Sequence, residues 1–224
     1  MNEKNLENVQ SKVSSFSMSQ FFYFAIKRLF DILVSVVGIL FLIPIYLIIR
    51  IAYFLTGDFH RIVYSHTRIG LNGKPFKLYK FRSMVYNADE VLKELLKKPK
   101  YKKEWNEFHK LSYDPRITKV GKFIRVASID ETPQFINILL GDLSLIGPRP
   151  LVPGELDVNH GNHVLYESVR PGITGWWAVN GRSATTFKKR LELEYYYIKN
   201  IGFKIYMKII FKTIKIVLNG DGAK

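Results

Sequence analysis

Between Asp31 and Arg50 the chain runs through 18 residues, Ile32 to Ile49 (ILVSVVGILFLIPIYLII), without a charge. At about 1.5 Å per residue such a helix just crosses a hydrocarbon core of roughly 30 Å. The run is too long for the apolar part of a secretory leader, and no small-residue cleavage site follows it. Pro44 interrupts it, removing one backbone donor and crowding the carbonyl of Leu40. Both flanks are basic, with Lys27 and Arg28 before the run and Arg50, Arg61 and Arg68 after it. A simple span would translocate one of these flanks, against the preference of Lys and Arg for the cytoplasmic side. A helix that enters, bends near Pro44 and returns keeps both flanks on that side. Two readings therefore stand, a plain spanning helix and a re-entrant one, and the charges favour the second.

This segment divides the chain into a polar, Ser/Asn-rich tail over residues 1–20, a membrane-embedded stretch over 21–56 and a surface-seated part over 57–224. Hydrophobic residues make up 47% of the sequence, enough for a substantial core, and the absence of cysteine excludes disulfides and thiolate chemistry. Lys and Arg number 34 against 19 acids, which calls for an anionic partner such as lipid headgroups, a phosphorylated substrate or nucleic acid. Two β-favouring runs, Ile62 to Ile69 and Phe76 to Phe81, flank Leu71-Asn72-Gly73-Lys74, whose Asn-Gly pair predicts a hairpin turn. Ala88, Val91, Leu92, Leu95 and Leu96 share one helical face, and Pro99 is expected to stop that helix. The KKPKYKK run after it reads as a solvated face with some attraction for anionic headgroups. His160 and His163 have ligand-like spacing but no third ligand, which weighs against zinc. Lys204, Lys208, Lys212 and Lys215, interleaved with Ile205, Met207, Ile209, Ile210, Phe211 and Ile214, form a basic amphipathic helix suited to a membrane interface.

The acids concentrate attention at one place. In SIDETPQF, Asp130 and Glu131 sit at the mouth of an apolar run that ends in Pro148-Arg149-Pro150. The plain reading is a helix start: Asp as N-cap, Pro133 in the first turn, and Ser128 and Glu131 as an imperfect capping box. The chemical reading uses the same geometry. Free N–H groups at a helix N-terminus bind phosphate and keep a carboxylate ionised. An ionised Asp130 can attack a phosphoryl group. Glu131 beside it can help hold Mg²⁺, which takes one or two carboxylates plus substrate phosphates. Arg125 and Arg149 can clamp phosphate oxygens in a bidentate fork, with Pro148 and Pro150 stiffening the backbone around Arg149.

These residues carry a resemblance. KRLFDI, RIG, FKLYKFRSM, DPRITKVGKFIR, SIDETPQFINILLGDLSLIGPRP, VRPGITGWW, NGRS and ELEYYYIKN occur in order from about Ala25 to Ala223. The chain thereby resembles the bacterial sugar transferase family, the monotopic polyprenyl-phosphate phosphoglycosyl transferases that begin capsule, exopolysaccharide and related surface glycans. The resemblance implies an α+β, mostly helical fold: a monotopic membrane protein with a re-entrant N-terminal helix, interfacial amphipathic helices and a small β-hairpin. It implies a cytoplasmic-membrane enzyme, its catalytic part (57–224) on the cytoplasmic face, that takes a sugar 1-phosphate from a UDP-sugar. Asp130 would be the nucleophile and Glu131 its partner in binding Mg²⁺, with both carboxylates near the metal. Undecaprenyl phosphate would accept the phosphosugar, and UMP would be released. Arg125, Pro148, Arg149 and Pro150 match the phosphate and nucleotide side, with Lys80, Arg82 and Arg170 as secondary phosphate contacts. The block from Met84 to Thr118 resembles members that transfer glucose or galactose phosphate. Two positions depart from the family pattern: Ile43 precedes Pro44 where Ser is frequent, and Ala178 stands where Gln is common. A homodimer stays open. The rivals are a membrane-surface binding protein without chemistry, which would not need Asp130, and a glycosyl transferase releasing UDP. Nucleic-acid binding has only the basic charge behind it and no motif.

Overall fold

The computed structural model describes residues 18–108, 111–181 and 185–219. Most of the tail expected over 1–20, and Arg182 and Ser183 of NGRS, lie outside the described residues. The chain is mostly helical, with two small two-stranded sheets. It opens with α1 (Met18–Leu55), a 38-residue helix that runs through Pro44 without ending there. At 1.5 Å per residue α1 is about 57 Å long, well beyond the hydrocarbon core of a bilayer. Its most apolar 18-residue window has a mean hydropathy of 3.0, yet only 11% of that window is buried. A helix inside a soluble core would be mostly covered; here Phe22, Leu29, Leu40, Phe41, Leu47 and Ile48 stand exposed. α1 is therefore a helix that could span or sit in a membrane.

The remaining elements form two compact units, and α1 contributes to both. One unit comprises α1 up to Ile39, residues His66–Leu78 and the chain from Gln134 onward; the other comprises Leu40–Ser65 and Tyr79–Pro133. The hairpin strands β1 (Val63–Ile69) and β2 (Pro75–Phe81) are joined by a 3₁₀ turn over Leu71–Gly73. Asn72 and Gly73 have φ of 55° and 72°. Both turn positions thus take the left-handed region that the Asn-Gly pair was expected to supply.

In the first unit, α5 (Gln134–Leu140) leads into β3 (Ser144–Ile146), which pairs in parallel with β4 (Gly172–Thr174) in the register Ser144↔Gly172 and Ile146↔Thr174. Short helices α6 (Glu155–Val158), α7 (His163–Tyr166) and α8 (Trp176–Asn180) precede α9 (Phe187–Lys199) and α10 (Phe203–Asn219). Ile146, Tyr197, Ile198, Ile205, Tyr206 and Ile209 pack into one core. α10 thus buries one stripe, while Phe203, Phe211, Ile214, Val217 and Leu218 remain exposed beside its lysines. That outer face has the composition of an interfacial helix.

In the second unit, Ile49 and Tyr53 from α1 pack with Ile62, Phe81 and Ile124. α2 (Ala88–Leu96) has the predicted bounds. α2 ends at Leu96, ahead of Pro99 as expected, and Pro99 is then the first residue of α3 (Pro99–Phe108), so much of the KKPKYKK run is helical. The first helical position has no use for an N–H, so proline fits there as well as beyond an end. α4 (Lys119–Val126) is capped by Thr118, whose side chain accepts the Gly121 N–H at 2.8 Å. A Cβ at Gly121 would lie 1.8 Å from the Ser83 carbonyl oxygen, so only glycine lets α4 approach the end of β2 this closely.

What fixes α1 to the first unit is a carboxylate. Asp31, 2% exposed, accepts the Leu145 N–H at 3.0 Å with one oxygen and the Ser144 hydroxyl at 2.7 Å with the other. Lys27, one turn earlier, lies 3.5 Å from the same carboxylate and also donates to Ser144. Asp31→Ala removes the acceptor and leaves Lys27 as an unbalanced buried charge, a change that costs about 3–5 kcal/mol. Thermal unfolding in detergent should show a large fall in Tm, and a smaller one for Asp31→Asn, which keeps one acceptor.

Candidate active site

The nine residues proposed from sequence fall in both units. Lys80, Arg82, Arg125, Asp130 and Glu131 belong to the second; Pro148, Arg149, Pro150 and Arg170 belong to the first.

In the second unit, α4 ends at Val126, with Ala127 as its C-cap, and the chain turns through Ser128, whose φ of 54° is left-handed. A left-handed residue is a common helix stop, but glycine or asparagine usually supplies it. A serine there carries strain on the order of 1–3 kcal/mol, which the surroundings must hold. Ile129, drawn toward the Phe81–Ile124 core, does so. A 3₁₀ turn follows over Ile129–Glu131, closed by the Thr132 N–H and hydroxyl, both donating to the Ile129 carbonyl. Asp130 is therefore not an N-cap. No side-chain cap forms at Ser128, and α5 begins only at Gln134, after the buried Pro133.

This changes the electrostatics. The Asp130 carboxyl is pushed above its ordinary value, first by burial and further by the charge of Glu131, while Lys80 and Arg125 pull it back. A helix N-terminus was expected to keep it ionised; instead the flanking cations oppose desolvation. Lys80 Nζ donates to Glu131 Oε1 at 2.6 Å, and Arg125 Nε donates to the Ser83 hydroxyl at 2.8 Å while the residue stays exposed. The turn thus holds a half-buried carboxylate, a second carboxylate and two cations.

Arg82 is a different case. Its guanidinium donates to the carbonyls of Arg61 and Met84 at 2.8 and 2.9 Å and to Asp58 at 2.9 Å, and it lies 4.5 Å from the centre of the Tyr53 ring. At 7% exposure it ties segments of this unit together. Burial acts to raise the pKa of Asp58, but the hydrogen bonds from Arg82 and His60 outweigh it and hold the carboxyl below its ordinary value.

In the first unit, Pro148 and Pro150 are buried on either side of an exposed Arg149. The Arg149 N–H donates to Glu194 Oε1 at 3.0 Å, and its carbonyl accepts the Tyr166 hydroxyl at 2.9 Å. The Gly172 N–H reaches the Pro148 carbonyl at 2.8 Å, and Gly147 donates to Thr174 at 2.9 Å. The Arg149 guanidinium carbon lies 5.7 Å from the centre of the Trp177 ring, and that of Arg190 lies 4.9 Å from it. Arg170, exposed, donates to the Gly141 carbonyl at 2.9 Å. Glu194 was missed from sequence although a signal existed: it falls on the stripe of α9 that buries Leu191, Tyr197 and Ile198. An acid on a core-facing stripe needs a reason. Burial lifts its carboxyl to about 7, against the Arg149 N–H and the charges of Arg190 and Arg149.

His163 is bonded by Asp157 and Glu167 at 2.8 and 2.7 Å, and its pKa is raised by Glu167 first. Among the described residues no group of three His, Cys, Asp or Glu side chains is arranged to hold a metal. For Mg²⁺ the relevant donors are the adjacent carboxylates of Asp130 and Glu131. Two hard oxygen ligands fit an ion that draws its remaining ligands from phosphates and water, and a dication would relieve the repulsion that Glu131 exerts on Asp130.

Residues 22–220 match the model of a family described as bacterial sugar transferase. The chain belongs to the bacterial sugar transferase family. Among curated relatives, an undecaprenyl-phosphate galactose phosphotransferase of Salmonella typhimurium is 45% identical over 199 residues, which are 88% of this chain and 41% of the relative. A UDP-galactose-lipid carrier transferase of Erwinia amylovora is 41% identical over 88% of this chain and 41% of its own length. The exopolysaccharide production protein ExoY of Sinorhizobium fredii is 39% identical over 88% of this chain and 87% of its own. The chain thus spans about two fifths of the first two relatives and most of the third.

The raised carboxyl of Glu194 has a stability consequence. A carboxyl whose folded pKa lies above its ordinary value favours the fold while protonated. The penalty of ionising it is absent below about 4.5 and is complete once the pH has risen through 7. Glu194→Gln should therefore gain on the wild type between pH 4.5 and pH 8, by on the order of 3 kcal/mol, seen as a growing Tm difference. A pH-independent difference would show that Glu194 is not held protonated.

Proposed function

We propose that this bacterial sugar transferase moves a sugar 1-phosphate, from UDP-glucose or UDP-galactose, to undecaprenyl phosphate as the opening step of surface glycan synthesis. The observation that carries this reading is the half-buried Asp130 carboxylate in its strained turn, flanked by Lys80, Arg125 and Glu131. An Asp130 oxygen attacks the phosphorus that bears the sugar. A bond from Asp130 to phosphorus forms, the anhydride bond breaks, and its electron pair leaves with UMP. A phosphate oxygen of the lipid then attacks the same phosphorus, freeing the carboxylate and yielding a lipid diphosphate sugar. Partial desolvation favours the first step, because a poorly hydrated carboxylate has less solvent to shed before attack. Lys80 and Arg125 supply positive charge where the phosphoryl oxygens gather, and Arg149 offers a planar fork for the donor's phosphates. When bound, Mg²⁺ would be held by Asp130 and Glu131 and would neutralise donor phosphate charge. The names of the relatives, which include undecaprenyl-phosphate and UDP-galactose-lipid carrier transferases, support the donor and acceptor classes.

The decisive assay is detergent-solubilised protein with a panel of UDP-hexoses, undecaprenyl phosphate and Mg²⁺, followed by identification of the released nucleotide. UMP is expected; UDP would make the chain an ordinary glycosyl transferase. Asp130→Asn should retain fold and membrane association but lose turnover, and near-wild-type product from it would sink the covalent role.

For topology, the same reading takes α1 as re-entrant. Its support is that the helix is tied to polar chain on either side of its charge-free run. Asp31 accepts the Leu145 N–H, and Tyr53 donates to the Arg82 carbonyl. Basic residues flank both ends as well. The native chain has no cysteine. Single cysteines at Ser14 and Asn87 should both resist an impermeant reagent in intact cells and react after permeabilisation. Labelling of Ser14→Cys from outside, with Asn87→Cys protected, would establish a spanning helix instead.

A further inference from the structure

Pro148-Arg149-Pro150 contains a single backbone N–H, because proline has none. That N–H belongs to Arg149, and its acceptor is the Glu194 carboxylate from α9, 45 residues later. At the other side of the same residue, the Arg149 carbonyl accepts the Tyr166 hydroxyl. Glycines and main-chain groups of β3 and β4 hold the neighbours: Gly147 to Thr174, and Gly172 to Pro148. The arch is thus gripped at every polar backbone atom that these bonds reach, and the two side chains in the grip both take hold of Arg149.

A neutral acceptor would satisfy the Arg149 N–H. The residue present is instead a carboxylate at 1% exposure, whose second oxygen has no hydrogen-bond partner. Arg190, one turn before it on α9, likewise has buried Nε and Nη2 atoms without partners, while its Nη1 donates to Glu155 at 3.3 Å. Arg149 and Arg190 both approach the Trp177 ring, so two cations share one indole close to the buried Glu194 carboxyl. A buried, incompletely paired carboxylate destabilises a fold relative to a well-matched neutral group. Its placement is understandable if what it governs is the direction of Arg149, through the acceptor it gives the Arg149 N–H.

We propose that Glu194 is a positioning residue for Arg149: through the Arg149 N–H and the shared Trp177 face it fixes the guanidinium in the exposed pose that receives a donor phosphate. The inference rests on Arg149 being a donor-phosphate contact, as in the proposed function. Glu194 itself is buried and acts through Arg149.

A double-mutant cycle on the full chain in detergent tests this, with kcat and KM for the UDP-hexose measured separately. Glu194→Ala should raise the donor KM about tenfold in the wild-type background, and by no more than about twofold in Arg149→Ala, because the arginine it positions is already gone. Glu194→Gln, which keeps an acceptor for the N–H, should recover most of the loss. Equal KM penalties for Glu194→Ala in both backgrounds would overturn the proposal. Wild-type kinetics in Arg149→Ala alone would instead remove the assignment of Arg149, and the role of Glu194 with it. If Glu194→Ala does not yield folded protein, Tyr166→Phe releases the other side of the arch. It must raise the donor KM only when Arg149 is present, and the same penalty in both backgrounds again overturns the proposal.

Discussion

The one carboxylate of the long apolar helix α1 organises this protein. Asp31 lies at the head of the charge-free run that defines α1, a place where an unpaired charge would be hard to sustain. It persists because Leu145, Ser144 and Lys27 converge on it. Hydrophobic attraction alone could not choose where along α1 the rest of the unit docks, since one lipid-like surface is much like another. A directional polar contact can. By pinning β3 to one turn of the helix, Asp31 also sets the height at which the chain leaving β3, Gly147 to Pro150, emerges. The Pro148–Pro150 arch is thus registered against α1 by one ion-supported set of hydrogen bonds.

Local patterns in the sequence carried much of this architecture. The Asn72-Gly73 pair announced the hairpin because its backbone requirement is local, and the apolar face of Ala88 to Leu96 announced α2 for the same reason. Where tertiary contacts decide, the sequence rules misled. Capping preferences put a helix start at Asp130, but Ile129 is drawn into the core around Ile124, and the chain spends residues 129–131 in a tight turn before Pro133. The bond from Arg82 to Asp58 spans 24 residues, with nothing in the spacing to link them. Glu194 was visible as an acid on a buried stripe, yet its connection to Arg149 crosses 45 residues and could not be read from periodicity.

The charge pattern has a physical unity. A chain of net charge +15 can gather phosphates, but cations alone do not perform substitution at phosphorus. The second unit answers with a carboxylate whose burial is offset by Lys80 and Arg125. The first unit answers with an arginine whose backbone is held by another carboxylate, Glu194. In both, one acid is partly or wholly withdrawn from water, and an exposed arginine, Arg125 in one and Arg149 in the other, lies close by.

The arch around Arg149 also bears on how the chain is made. During synthesis Pro148 to Pro150 leave the ribosome well before Glu194, and the bonds that shape them come from Tyr166, Gly172, Thr174 and α9. Contacts of such sequence separation close late, because loop entropy must be overcome before they form. A nascent chain therefore has no formed cradle at Arg149 until those later residues are made. Only when α9 has docked does the Arg149 N–H gain its acceptor, so completion of the C-terminal helices times the closing of this arch.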